Sequence, residues 1–440
     1  MRVTIVGAGF VGISTAISLA ENNHAVTLVE VNPERLQKLR AGVPFFFEEG
    51  VAEALKTELA QGRLAVADSL KNAPPAEVIF LCVGTPPAPD GSADLRQLRA
   101  AAREVAMAMS HYGHFTTVAV KSTVPPGTTR GAILPILAET GKLGETFGLA
   151  MTPEFLREGT ALADARNPDR VVIGAADPRG AEVLSTLLRV EGKPLVVTDP
   201  ETAEMIKYVS NSLLATKVGF ANEIANLSYK VGVNVDEVMK AVGLDHRLGP
   251  HFLKAGPGFG GSCFPKDLAA LDTFARQNGI HLGIVKAVLE GNEAQPLRVV
   301  DMAAEVAGGL AGKRVTILGV AFKAGTSDVR ETRAQPIYEA LVAAGAHVTC
   351  YDPIAQDEFC HLLGREVAFA PTVAAALDGA DVCILHTDWP EFRSIPAEEF
   401  ARRMRSPIVV DSRRFLDGRV LAAAGVTYRA LGNGTWRRTQ

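Results

Sequence analysis

The chain has 440 residues, of which 47% are apolar and 21% charged, with a net charge of −4. That length exceeds one ordinary core and predicts two to four domains. The weak charge gives no reason to expect a nucleic acid or an anionic membrane as partner, and no run reaches the roughly 18 apolar residues that span a bilayer. The five cysteines (Cys82, Cys263, Cys350, Cys360, Cys383) are scattered and show no Cys-x-x-Cys. They argue against a disulfide framework or a zinc site, so no metal is expected, and they fit a reducing cytoplasm. Met1-Arg2-Val3-Thr4-Ile5-Val6 leads straight into a buried strand pattern without a signal-peptide segment before it, which also points to the cytoplasm.

Residues 1–30 read as strand, turn, helix and strand. Val3 to Val6 is a short apolar run, Gly7-Ala8-Gly9-Phe10-Val11-Gly12 is the turn, and Ile13 to Leu19 continues as a helix. Ala25 to Glu30 is the second strand. Glycines at 7, 9 and 12 permit a tight turn and close approach of a pyrophosphate to the helix N-terminus. Glu30 stands where an acid would bind ribose hydroxyls and repel a 2′-phosphate, favouring NAD over NADP. Arg35 is the complication, since a nearby arginine can accept that phosphate.

Further β-rich runs follow at 78–83, 117–120 and 170–174, alternating with helical stretches, as in a parallel α/β sheet. Val83-Gly84-Thr85-Pro86 and Lys121-Ser122-Thr123-Val124-Pro125 follow two of these strands. Ligands of open parallel sheets bind at those ends, although Gly, Pro and Thr also make ordinary turns. Pro153-Glu154-Phe155-Leu156-Arg157-Glu158-Gly159 carries two acids four residues apart. One helical face could present both; a solvated helix start is the plainer reading.

From about Pro200 to Glu293 a helical pattern dominates, broken by the Gly/Pro-rich stretch 249–265. Lys207-Tyr208-x-x-Asn211 places an ammonium and an amide on one helical face, a pairing that suits a developing oxyanion and is also common on exposed helices. Gly258-Phe259-Gly260-Gly261-Ser262-Cys263-Phe264-Pro265-Lys266-Asp267 is more specific. Free cysteine is usually a small buried hydrophobe, which suits Cys82, Cys350 and Cys383 in their apolar runs. It suits Cys263 badly, because glycines that let a backbone approach a ligand precede it and a lysine and an aspartate follow. With a dinucleotide signature upstream, a reactive thiol suggests an oxidation carried to the acid, with the substrate captured on sulfur. A third block begins at Gly312. Lys313 to Gly319 resembles the chain's own start, and strands follow at 346–352, 381–385 and 407–411. Its turn, Gly319-Val320-Ala321, lacks the second glycine and is not expected to hold a pyrophosphate in the same way.

The expected fold is α/β: two Rossmann-like doubly wound domains, residues 1–199 and 296–440, joined by a helical connecting domain, 200–295. The motifs in this order resemble the UDP-glucose 6-dehydrogenase group of the UDP-glucose/GDP-mannose dehydrogenase family over nearly the whole length. Asn222-Glu223, Arg247-Leu248-Gly249, Ala321-Phe322-Lys323, Thr326-x-Asp328-x-Arg330-Glu331 and Tyr351-Asp352-Pro353 complete the set. The resemblance implies a four-electron oxidation of UDP-glucose to UDP-glucuronate with two NAD, through a thiohemiacetal and a thioester on Cys263. It implies Lys207 and Asn211 at the oxyanion, Asp267 and Thr123 at the catalytic water, and Glu154 as base. For NAD it points to Gly7, Gly9, Val11, Gly12, Glu30, Arg35, Thr85, Thr123, Glu158, Lys266 and Arg330. For substrate it points to Phe155, Leu156, Arg157, Glu158, Lys207, Asn211, Phe252, Leu253, Lys254, Ala255, Gly256, Gly260 and Lys323. Arg247 would reach the sugar site of a neighbouring subunit, implying a homodimer, and the second α/β domain would bind the nucleoside diphosphate. Asp411-Ser412-Arg413 stands where Asp-Gly-Arg is commoner. GDP-mannose or UDP-N-acetylmannosamine oxidation, and a non-catalytic nucleotide-sugar sensor, are the alternatives. The intact Lys207, Asn211, Cys263 and Asp267 argue against a sensor.

Overall fold

The structure, a computed structural model, describes residues 1–433. It contains two compact units, Met1–Ser210 with Ala269–Gly279, and Asn211–Leu268 with the chain from Ile280 onward. The helices Pro200–Val231 and Phe264–Gln277 each run from one unit into the other.

The first unit is built on an eight-stranded sheet: β1 (Arg2–Val6), β2 (Ala25–Val29), β3 (Leu64–Ala67), β4 (Val78–Leu81), β5 (Thr116–Val120), β6 (Phe147–Met151), β7 (Val171–Ala175) and β8 (Leu195–Thr198). Their order is β3-β2-β1-β4-β5-β6-β7-β8. Successive side chains enter opposite layers. On β4, Val78 and Phe80 join the core with Ile5, Ile13 and Leu28, while Ile79 and Leu81 join the one with Val118 and Leu149. Both faces are covered at the central strands, which is why these read as unbroken apolar runs. The expected parallel order holds except at β6–β7, which are antiparallel. The 152–170 segment therefore leaves and re-enters the sheet at the end where β6 stops.

The second unit carries a five-stranded parallel sheet: β9 (Arg314–Leu318), β10 (His347–Tyr351), β11 (Val382–Leu385), β12 (Ile408–Asp411) and β13 (Thr427–Ala430), in the order β10-β9-β11-β12-β13. The order reverses between β9 and β11, so the crevice at their carboxyl ends is the place such a sheet offers a ligand. β3, β6, β8 and β13 were not expected from sequence. Phe147-Gly148-Leu149-Ala150-Met151 is fully buried but has no β-branched residue to announce it.

Candidate active site

The glycine turn after β1 is shaped by its missing side chains. Gly7 has φ +102°, and a Cβ there would lie 2.8 Å from the Cys82 carbonyl oxygen. A Cβ on Gly12 would lie 2.0 Å from the Gly7 carbonyl oxygen, whereas Gly9 faces open space. The helix Phe10–Glu21 starts on Gly9 with neither a side-chain cap nor an acid in its first turn. Its N–H groups and the positive end of its dipole are thus left for an anion, and Val11 is half-buried in that first turn. Buried Glu30 follows β2 and accepts the Asn32 N–H at 2.8 Å. The Arg35 guanidinium lies 4.3 Å from the centre of the Phe45 ring. A pyrophosphate on the glycine turn and ribose hydroxyls on Glu30 fit this cradle.

The turns after β4 and β5 are stitched together. Thr85 Oγ1 donates to the Thr123 carbonyl oxygen at 2.8 Å, and Ser122 Oγ to that of Val83 at 2.6 Å. Residues 153–159 do not form the helix that would have put Glu154 and Glu158 on one face. Pro153 brings no N–H, the Glu154 carboxylate takes the Leu156 N–H at 2.6 Å, and Gly159 has φ +81°. Freed from a helix, Glu154 turns inward and accepts from Lys207 Nζ at 2.8 Å, with both side chains about 95% or more buried. Phe155 receives the Lys207 ammonium 5.6 Å and the Arg170 guanidinium 3.8 Å from its ring centre. Arg157 is engaged by Asp164 at 2.6 Å, and Glu158 lies in the turn beyond it.

In the second unit the cysteine loop closes onto the head of the helix Phe264–Gln277. Half-buried Cys263 immediately precedes that helix, and its carbonyl accepts the Asp267 N–H at 2.9 Å. The positive end of that helix's dipole lies beside the sulfur. Cys350 and Cys383 are fully buried, and burial pushes their thiols up, so they are core residues, as expected. Buried Asp267 accepts Asn211 Nδ2 and Lys266 Nζ, each at 2.6 Å.

The glycines before Cys263 press on the chain itself. A Cβ on Gly260 would lie 2.2 Å from the Glu331 carbonyl oxygen, and one on Gly261 would lie 2.8 Å from the Phe322 ring. Gly261 N–H donates to the Arg330 carbonyl at 2.9 Å. The Arg330 guanidinium itself pairs with Asp328 at 2.7 Å.

Residues 252–256 form a strap. Phe252 has φ +61° and packs on Phe264, with ring centres 6.3 Å apart. Leu253 packs with the small core around Ala255, and Lys254 Nζ lies 3.6 Å from Asp388. Asn222 accepts the Gly256 N–H at 2.8 Å, and Gln295 donates to its carbonyl at 3.0 Å. The Lys323 ammonium lies 5.6 Å from the Phe322 ring centre. Arg247 is exposed and pairs with Asp245, with Nε to Oδ1 at 3.0 Å.

Two residues that stand in sequence motifs without an assigned role shape this unit. Arg413 donates to the carbonyl oxygens of His386, at 2.7 Å, and Phe322, at 2.9 Å. Its Nη1 lies 3.3 Å from where a Gly256 Cβ would stand; the Asp411-Ser412-Arg413 run marked the place, through Ser412, but gave the arginine no role. The second is Asp352, which follows β10 as Glu30 follows β2. Its Oδ2 takes the N–H groups of Val320 and Ala321, at 2.7 and 3.2 Å, and the Trp389 indole N–H at 3.1 Å. The turn after β9 thus already holds an anion, a carboxylate of the chain's own.

Three family models match in sequence: the NAD binding domain of the UDP-glucose/GDP-mannose dehydrogenase family over residues 1–190, its central domain over 201–294, and its UDP binding domain over 316–418. The chain is 39% identical to the UDP-glucose 6-dehydrogenase YwqF of Bacillus subtilis, covering 98% of each. It is 36% identical to TuaD of the same organism, over 100% of this chain and 95% of the relative. The solved UDP-glucose dehydrogenase of the hyperthermophilic archaeon Pyrobaculum islandicum superposes with a TM-score of 0.90 at 41% identity, covering 98% of each chain.

Proposed function

The chain belongs to the UDP-glucose/GDP-mannose dehydrogenase family, and from that premise we propose that it is an NAD-dependent UDP-glucose 6-dehydrogenase yielding UDP-glucuronate. The observation that carries the proposal is Cys263 at the head of a helix, behind a loop that its glycines press onto the chain's own backbone. An alcohol-to-ketone oxidation needs no such sulfur. An oxidation that reaches the acid does.

Bound in the glycine cradle with Glu30 at its ribose, NAD supplies the hydride acceptor for both oxidations. Val11, Arg35, Thr85, Glu158, Lys266 and Arg330 complete that assignment. Lys207 handles the alcohol proton and steadies the oxyanion, with Asn211 beside it. Cys263 sulfur adds to the aldehyde carbon, and the resulting thiohemiacetal keeps the C–H that the second oxidation removes. Water held by Thr123 and Asp267 then attacks the thioester. Glu154 takes the water's proton, the C–S bond breaks and the thiolate is restored. The strap 252–256, with Gly260, Lys323 and residues 155–158, holds the nucleotide sugar.

Assembly follows from the helix Pro200–Val231. Val209, Leu213, Phe220, Leu227 and Val231 are all exposed on it, and their spacings of four and seven put them on one face. A second copy of the chain covers that stripe, and Arg247, exposed beyond it, reaches the partner's sugar. A reducing, cytoplasmic setting suits a cysteine outside any disulfide.

The test is stoichiometric. With UDP-glucose, two NADH form per sugar consumed, and a ratio of one rejects the four-electron reaction. Cys263→Ser abolishes steady turnover while NAD binding survives. GDP-mannose and UDP-galactose, assayed beside UDP-glucose, turn over more slowly; a faster rate with either overturns the substrate assignment.

A further inference from the structure

Glu204 has no part in the chemistry above, yet its carboxylate is fully buried near the start of the helix Pro200–Val231. Its Oε2 accepts the Gly127 N–H at 2.6 Å, and its Oε1 accepts the Thr129 N–H at 2.8 Å and the Thr129 hydroxyl at 2.6 Å. Three hydrogen bonds to one buried carboxylate are a strong tether. What they tether is the turn after β5. Its near end, Ser122 and Thr123, is stitched to the β4 turn through Val83 and Thr85. Its middle is stiffened by Pro125 and Pro126 and by Thr128 Oγ1, which donates to the Pro125 carbonyl at 2.6 Å. Its far end, where Gly127 has φ +89° and a π-helical turn Thr129–Ile133 begins, is held by Glu204. Lys207 sits one helical turn further along, on the same helix.

We propose that Glu204 is a positioning residue for thioester hydrolysis: it clamps the loop that carries Thr123 to the helix that carries Lys207. The proposal rests on the reading of Thr123 as a holder of the hydrolytic water. In that step the water oxygen bonds to the thioester carbon, the C–S bond breaks, sulfur leaves as thiolate and the water proton passes to Glu154. A loop released at its far end misplaces the water, while its near end, still stitched to Val83 and Thr85, keeps the cofactor contacts and the two oxidations, so acyl-enzyme accumulates.

Glu204→Gln sets an amide N–H₂ against the Gly127 N–H. It is expected to give a normal first burst of two NADH per site and then a steady rate about ten- to a hundredfold lower. Intact-protein mass spectrometry of the quenched enzyme shows the UDP-glucuronyl thioester on Cys263. Glu204→Asp, which keeps a carboxyl group on a shorter arm, recovers part of the rate. Thr129→Val removes a single hydroxyl from the clamp, so it reports even if Glu204→Gln fails to fold, and it shows the same adduct at lower occupancy. A folded Glu204→Gln, or Thr129→Val in its place, that turns over at the wild-type steady rate without adduct overturns the proposal. Thr123→Ala separates the two levels. If it too hydrolyses normally, the role given to Thr123 falls. If it accumulates adduct while the Glu204 and Thr129 variants do not, only the clamp falls.

Discussion

Glu204 also carries a pH signature. Burial raises its carboxyl to about 7, against the lowering effect of the Thr129 and Gly127 hydrogen bonds, and Glu201 adds to the rise. Arg130, paired with Glu201 at 3.1 Å, is the cation facing that helix start. The folded value lies above the unfolded one of about 4.3. The contribution to stability is therefore complete below the unfolded value and is lost as pH rises through about 7. The melting temperature of the wild type should fall between pH 5 and 8 more steeply than that of Glu204→Gln; parallel slopes would remove Glu204 from the titration. Nothing in Thr202-Ala203-Glu204 announces this, because a glutamate in the first turns of a helix is ordinary. Cys263 could be singled out because its flanking residues are wrong for a core strand. Glu204 could not, because its partners lie 75 to 77 positions away.

At the scale of elements, the cysteine loop depends on atoms that are absent. Gly260→Ala would put a methyl 2.2 Å from a carbonyl oxygen of the main chain, which cannot yield as a flexible side chain can. We expect about 1–3 kcal/mol of destabilisation and at least a tenfold loss of kcat with NAD affinity unchanged, read by calorimetric melting and by NAD titration. Wild-type kcat in Gly260→Ala would show that the loop's approach to residue 331 is immaterial. The glycine run was legible as a place of close approach, and only the structure shows that its neighbour is the 322–331 turn. Residues 153–159 failed the other way. Glutamates four apart suggest a helical face, but a proline and a side chain that captures the 156 N–H divert the backbone into a loop.

At the scale of the molecule, the duplicated α/β plan was legible because strands buried on both faces leave unbroken apolar runs. The division into compact units was not, because it follows two helices that pass from one unit to the other, and helical periodicity does not report which body a turn joins. The exposed stripe on the helix Pro200–Val231 predicts self-association. Leu213→Glu with Phe220→Glu should convert a dimer to monomer in light scattering; an unchanged mass would place the interface elsewhere. Asp352 has the widest consequence. By lending its carboxylate to the turn after β9, it fills the second cradle from within. Among the described residues one glycine cradle is then left open for a dinucleotide, while the proposed reaction has two oxidations to complete. In the proposed reaction reduced cofactor leaves and a fresh molecule arrives while the half-oxidised sugar waits, and a bond to Cys263 would keep that sugar from escaping during the exchange. On that proposed route the thiol would be a means of retention as well as a nucleophile.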